Sequence, residues 1–209
     1  GEVVFNERNI TAVSTRERIE LGMAHIPEDR LKQGLVLDFT VSENMALDTY
    51  DHEPITIRGV FYPRAMDEIS KSLVQEFDVR PPCHDIPVRN FSGGTQQKVV
   101  LAREISRDPH FILAVQPTRG LDIGATEFVH RRLLAEKEKG AAVLMISADL
   151  DEVLLVSDRV VVLYEGKIMG EFVPGQVSMT DIGLMMGGAG ARKEAGDCKW
   201  VCIWESSAS

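Results

Sequence analysis

Between residues 95 and 173 the chain repeats one pattern, and that pattern limits the folds open to it. A helical stretch at 95–107 is followed by an apolar run at 111–115, a helix at 125–139, a run at 142–147, a helix at 149–157, and two runs at 159–164 and 167–173. Short apolar runs alternating with helical stretches bury their surfaces by forming a sheet with helices packed on it, so the repeat predicts an α/β fold with a largely parallel sheet. Upstream, Gly1-Glu2-Val3-Val4-Phe5-Asn6 alternates apolar and polar residues as a half-buried strand does, and the chain reads as starting in mid-domain. A helix is predicted from Thr15 to Leu21 and a strand from Met23 to Ile26, running into the charged tetrad Pro27-Glu28-Asp29-Arg30. Over 64–79, Met66, Ile69, Leu73 and Phe77 recur at spacings of three and four, giving one apolar helical face before Pro81-Pro82 stops it.

The chain has 209 residues, 44% hydrophobic and 26% charged, enough for one core of ordinary size. Its net charge of −9 and the lack of a Lys/Arg-rich run argue against nucleic acid as a partner. No apolar stretch approaches the roughly 18 to 20 residues that span a bilayer. Three cysteines, Cys83, Cys198 and Cys202, form no framework of pairs, which suggests a reducing, cytosolic setting. Cys198 and Cys202 lie four apart without a second pair of ligands, and His25, His52, His84, His110 and His130 are scattered, so no metal site is assigned. Residues 187–209 show no period and read as a divergent, unstructured tail after a domain spanning 1–186.

Chemistry concentrates in three places. Ser92-Gly93-Gly94-Thr95-Gln96-Gln97-Lys98 leads straight into a helix, and two glycines at a helix start allow close approach of an anion to free N–H groups and the positive end of the dipole. Phe111 to Val115 is a buried strand that ends at Gln116-Pro117-Thr118 and delivers Asp122 to the following loop. A further strand ends at Ile146-Ser147-Ala148-Asp149. Asp149, Asp151 and Glu152 open the next helix, where carboxylates favour the dipole.

These segments, in this order, resemble the ATP-binding cassette family over about residues 1 to 186. Ser92-Gly93-Gly94-Thr95-Gln96 is similar to its signature motif, Gln116-Pro117-Thr118 to the end of its Walker B strand, Gly120-Leu121-Asp122 to its D-loop, and Ser147-Ala148-Asp149 to its switch-histidine loop. Glu28 falls at the Q-loop position. The wording Pro27-Glu28-Asp29-Arg30 and Val115-Gln116-Pro117-Thr118-Arg119-Gly120-Leu121-Asp122 is similar to second cassettes of tandem nucleoside and simple-sugar importer ATPases. The resemblance implies an incomplete P-loop NTPase-like cassette with an inserted helical subdomain at about 38–108. That subdomain would receive the coupling helices of membrane permease subunits, and an extracytoplasmic substrate-binding protein would be an indirect partner. The protein would sit at the cytoplasmic face of the plasma membrane.

Departures from the family pattern bear on mechanism. The phosphate loop G-x-x-x-x-G-K-[ST] does not occur in the sequence, so a Lys for the β and γ phosphates and a hydroxyl for magnesium are missing. Val115 and Gln116 stand where the family places a magnesium-orienting Asp and a water-activating Glu, and Ala148 stands at the switch histidine. A neutral amide cannot take the proton of the attacking water. The resemblance therefore implies that ATP and Mg²⁺ are held at a composite site with a partner cassette. That partner is the N-terminal cassette of the same polypeptide or a paired ATPase subunit. Ser92, Gly93, Gly94, Thr95 and Gln96 would contribute the signature, with none of the nucleotide bound stably by this chain alone. Two other classes stand beside this one: a non-catalytic cassette remnant serving as a structural or regulatory interaction domain, and a cassette ATPase acting on nucleic acid or ribosomes, which the acidic balance disfavours.

Overall fold

A computed structural model describes residues 1–188 and the backbone of 199–204. Its centre is a six-stranded sheet of β1 (Met23–Ile26), β2 (Phe111–Val115), β3 (Ala142–Ser147), β4 (Arg159–Tyr164), β5 (Lys167–Phe172) and β6 (Lys199–Trp204), in the order β1-β2-β3-β6-β4-β5. β1, β2 and β3 pair in parallel. β6 is antiparallel to both β3 and β4, so β3 and β4 run the same way with one strand between them. β5 returns antiparallel to β4 through Glu165-Gly166, both with positive φ, as a tight hairpin turn requires. Four of the six strands are thus mutually parallel, in keeping with the alternation read from the sequence.

Seven helices are described: α1 (Thr15–Glu20), α2 (Val41–Ala46), α3 (Pro63–Glu76), α4 (Gly93–Ile105), α5 (Ile123–Glu138), α6 (Leu150–Val156) and α7 (Met179–Met186). α2 and α7 lie in segments where the sequence reading places no helix, although Thr40 with Glu43 forms a reciprocal capping box that marks the start of α2. Asp29, which reads as part of a charged loop, instead caps a π-helical turn at Arg30–Gly34 by accepting from the N–H groups of Leu31 and Lys32.

The reading of 187–209 as an unstructured tail is corrected at 199–204, which form β6. After Lys199, Trp200-Val201-Cys202-Ile203-Trp204 is a continuous apolar and aromatic run without alternation, the composition of a strand with neighbours on both edges. Residues 189–198 and 205–209, including Cys198, lie outside the described residues.

One helix organises the interior. From Thr95 to Ile105 nearly every residue of α4 is buried. Its second half is fastened by charge: Glu104 accepts from Arg103 and Arg107, both at 2.9 Å, and from the His25 N–H at 3.0 Å. Arg103 donates to the Gly34 carbonyl at 2.9 Å, and Asp48, just beyond α2, faces Arg103 and Arg107 at 3.6 and 3.5 Å. α2 and α3 pack together against α4, where the buried Ser42 and Ser70 hydroxyls meet at 2.8 Å. Behind α3, the fully buried Phe77 ring lies edge-on to Phe128, with the Arg132 guanidinium 4.2 Å from its centre. The N-terminus of α4 is therefore presented by a rigid rod.

Candidate functional site

Two neighbouring features carry the polar chemistry: the start of α4 and an open cleft of about 950 Å³ beyond the ends of β2 and β3. At the first, Ser92 caps α4, its hydroxyl accepting from the Thr95 N–H at 3.3 Å. The N–H groups of Gly93 and Gly94 precede the first intrahelical bond and lie outside the helix ladder. A side chain at Gly94 would meet the fixed Ala125, and one at Gly93 the flexible end of Arg30. An added Cβ would fall 2.6 Å from Nη2 of Arg30 at Gly93 and 2.9 Å from Cβ of Ala125 at Gly94. Ser92 is exposed and the two glycines are half-buried, whereas Thr95 and Gln96 turn inward. Their side chains donate to the carbonyls of Arg80 and Val88, at 3.3 and 3.2 Å, so these two hold the helix start in place instead of presenting it.

The cleft is lined by the residues that follow β2 and β3. Gln116 ends β2 in left-handed backbone, φ 49°, with its N–H bonded to the Ile146 carbonyl at 2.7 Å. Gln97 of α4 donates to the Pro117 carbonyl at 2.7 Å, and Asp122 caps α5 by accepting from the Ala125 N–H at 2.9 Å. Ala148 is exposed beside Asp149, which caps α6. Glu28 pairs with Arg119 across the cleft mouth at 2.5 Å.

Sequence reasoning missed the centre of this cleft. It assigned Glu152 to stabilising a helix start and His130 to a scattered set. The structure brings them together: Glu152 is buried, and its carboxylate accepts from Thr118 Oγ1 at 2.8 Å and Ser147 Oγ at 2.6 Å and lies 2.7 Å from His130 Nε2. One carboxylate thus holds the loop after β2, the end of β3 and the middle of α5. Burial alone would raise the Glu152 pKa, but the hydrogen bonds from His130, Ser147 and Thr118 outweigh it and hold the group below the usual carboxylate range. A depressed folded-state pKa contributes stability that is present in full above the unfolded value of about 4.3 and lost as the pH falls through the lower folded value. Glu152→Gln should therefore be less stable than the parent at neutral pH, with the gap closing as the pH falls below about 4.3. Denaturant midpoints read at several pH values test this, and a gap independent of pH would contradict it.

Every carboxylate lining the cleft is thus already engaged: Glu28 by Arg119, Asp149 by the N–H groups of Asp151 and Glu152, and Glu152 by its three partners. Gln116, at the end of the cleft beside them, carries a neutral amide. Among the residues lining the cleft there is no Lys. Among the described residues no cluster of His, Cys, Asp or Glu could hold a metal ion.

No protein-family model matches the chain. It is 42% identical over 196 residues to the guanosine import ATP-binding protein NupO of Bacillus subtilis, covering 94% of this chain and 38% of that protein. It is 41% identical over 188 residues to the nucleoside import ATP-binding protein NupA of Lactococcus lactis, covering 90% and 37%. Against the ribose import ATP-binding protein RbsA of Oceanobacillus iheyensis it is 33% identical over 182 residues, covering 87% and 36%. The chain spans well under half the length of each of these relatives. Among solved structures, its fold is similar to the dimeric post-hydrolysis state of an ATP-binding cassette bound to ADP and Pi. The TM-score there is 0.68 at 22% identity, covering 85% of this chain and 75% of that one. A nucleotide-free cassette from an ABC transporter gives a TM-score of 0.66 at 24% identity, covering 84% and 70%. These last two likenesses establish the fold alone.

Proposed function

We propose that this chain, similar in sequence to nucleoside and sugar import ATP-binding proteins and built on the ATP-binding cassette fold, is the second cassette of a tandem importer ATPase, contributing its signature to the partner cassette's ATP site. The observation that carries the reading is an asymmetry. Ser92, Gly93 and Gly94 start a helix whose first N–H groups lie outside the helix ladder, while the neighbouring cleft has Gln116 and Ala148 in its lining, with Val115 ending the strand beside it, at the positions the resemblance makes hydrolytic. In the composite site the partner's phosphate loop and catalytic carboxylate would hold ATP and Mg²⁺. This chain's helix start would lie against the far side of the γ-phosphate, where N–H groups and the helix dipole stabilise negative charge. The chain's own cleft would hydrolyse ATP slowly or not at all.

On the same reading the whole protein is an ABC-type ATPase coupled to import, at the cytoplasmic face of the membrane, with permease subunits as direct partners and a substrate-binding protein as an indirect one. Among the described residues no helix is long and apolar enough to cross a membrane, so the membrane path would belong to the permease. Exposed Leu31, Val36 and Phe39, in the segment leading into α2, support an apolar docking face beside the helical segment 38–108. Nucleosides, ribose and galactose-type sugars are the substrate classes that the relatives and the sequence wording bring forward.

The test is ATP turnover by the intact protein with Gln116→Ala. If this chain's own cleft is silent, turnover should change by less than about twofold. A loss comparable to removing a catalytic base would place hydrolysis in this cleft and overturn the asymmetry.

A further inference from the structure

The π-helical turn at Arg30–Gly34 lies along α4 and is gripped at both ends. Arg103 donates to the Gly34 carbonyl at its far end, where Gly34 also packs against Val100. At its near end the Arg30 guanidinium reaches back to Gly93, the first residue of α4, and Nη1 donates to the Arg119 carbonyl at 3.0 Å. The Arg119 side chain is held in turn by Glu28, two residues before Arg30, so the tetrad grips residue 119 by both its carbonyl and its guanidinium. Arg30 Nε is buried without a hydrogen-bond partner. The guanidinium is thus committed at its tip, and π-helical turns recur at functional positions.

We infer that Arg30 is a positioning residue that clips the start of α4 to the loop after β2, so that the signature surface and the cleft mouth move as one unit. The inference rests on the proposed role of α4 in ATP turnover, and its geometry stands apart from that role. Three segments meet at one side chain: the turn from 30, the helix start at 93 and the loop at 119. The clip passes where a side chain at 93 would stand. A side chain at 93 would press on Nη2 of the same guanidinium whose Nη1 holds the Arg119 carbonyl.

Two measurements test the clip in the intact protein. Hydrogen exchange should show the amides of Thr95 and Gln96 and those of Arg119 and Leu121 accelerating together in Arg30→Ala, by about tenfold. Acceleration in neither segment, or in one alone, would overturn the inference. In a double-mutant cycle on ATP turnover, Arg30→Ala and Gly93→Ala should each lower turnover by about tenfold, and the double variant should be no slower than Arg30→Ala alone. Multiplying effects would mean that the two positions act independently and would overturn the clip. Turnover indifferent to every Gly93 substitution would instead strike the proposed role of α4, leaving the exchange result to judge the clip.

Discussion

Gly93→Asp in the intact protein is expected to lower ATP turnover by about 100-fold or more while leaving the chain as stable as before. The two halves of that expectation have separate causes. An Asp carboxylate in the first turn of α4 interacts favourably with the helix dipole and sits within reach of the Arg30 guanidinium, so folding should tolerate it or gain slightly. The same negative charge would lie where the N–H groups of Gly93 and Gly94 would meet a nucleotide phosphate, replacing attraction with repulsion at the point where charge develops during hydrolysis. Turnover assays and denaturant midpoints on the same preparation separate the two. Normal turnover at unchanged stability would remove α4 from the reaction, and lost turnover with a large drop in stability would make the variant uninformative about chemistry and shift the weight to the Arg30 cycle.

Glu152→Ala should destabilise the chain by about 3 kcal/mol, because breaking a buried charge network by deleting one member leaves the others without partners. His130, Ser147 and Thr118 would all lose the same acceptor, and the three segments that it joins would lose their shared fixture. Glu152→Gln, which keeps one oxygen to accept and adds donors facing other donors, should fall between parent and Ala. The check is a shift in denaturant midpoint at unchanged slope. A change in midpoint no larger than that of an exposed carboxylate, such as Glu127, would show the network to be incidental. Because the network holds Thr118 and Ser147, a destabilised Glu152→Ala should also show faster amide exchange in both cleft loops before global unfolding.

Much of the fold was legible before the structure. The alternation from 95 to 173 specified strands Phe111–Val115, Ala142–Ser147 and Arg159–Tyr164 within a residue of their ends, since a parallel sheet under helices is the arrangement that buries such runs. The outward face of the cassette was also legible, because Ser92-Gly93-Gly94 needs only local backbone chemistry to form a capped, glycine-lined helix start. Less was legible where meaning depends on distant partners. Thr95 and Gln96 read as part of a nucleotide-facing motif, yet they spend their side chains on carbonyls 15 and eight residues earlier in the chain. The run Lys199–Trp204 read as part of a tail because the strands flanking it, β3 and β4, lie some forty and more residues upstream.

What the sequence by itself determined was therefore local: which runs are strands and where helices are capped. Those properties follow from side-chain type and spacing along the chain. What only the tertiary structure decided was which side chains share a neighbourhood. Glu152 became the anchor of the cleft, and Arg30 the contact between 93 and 119, because folding brought together residues 22 and 89 positions apart and removed water from between them. A carboxylate or guanidinium in a sequence has no fixed role until burial decides whether its partner is solvent or another residue.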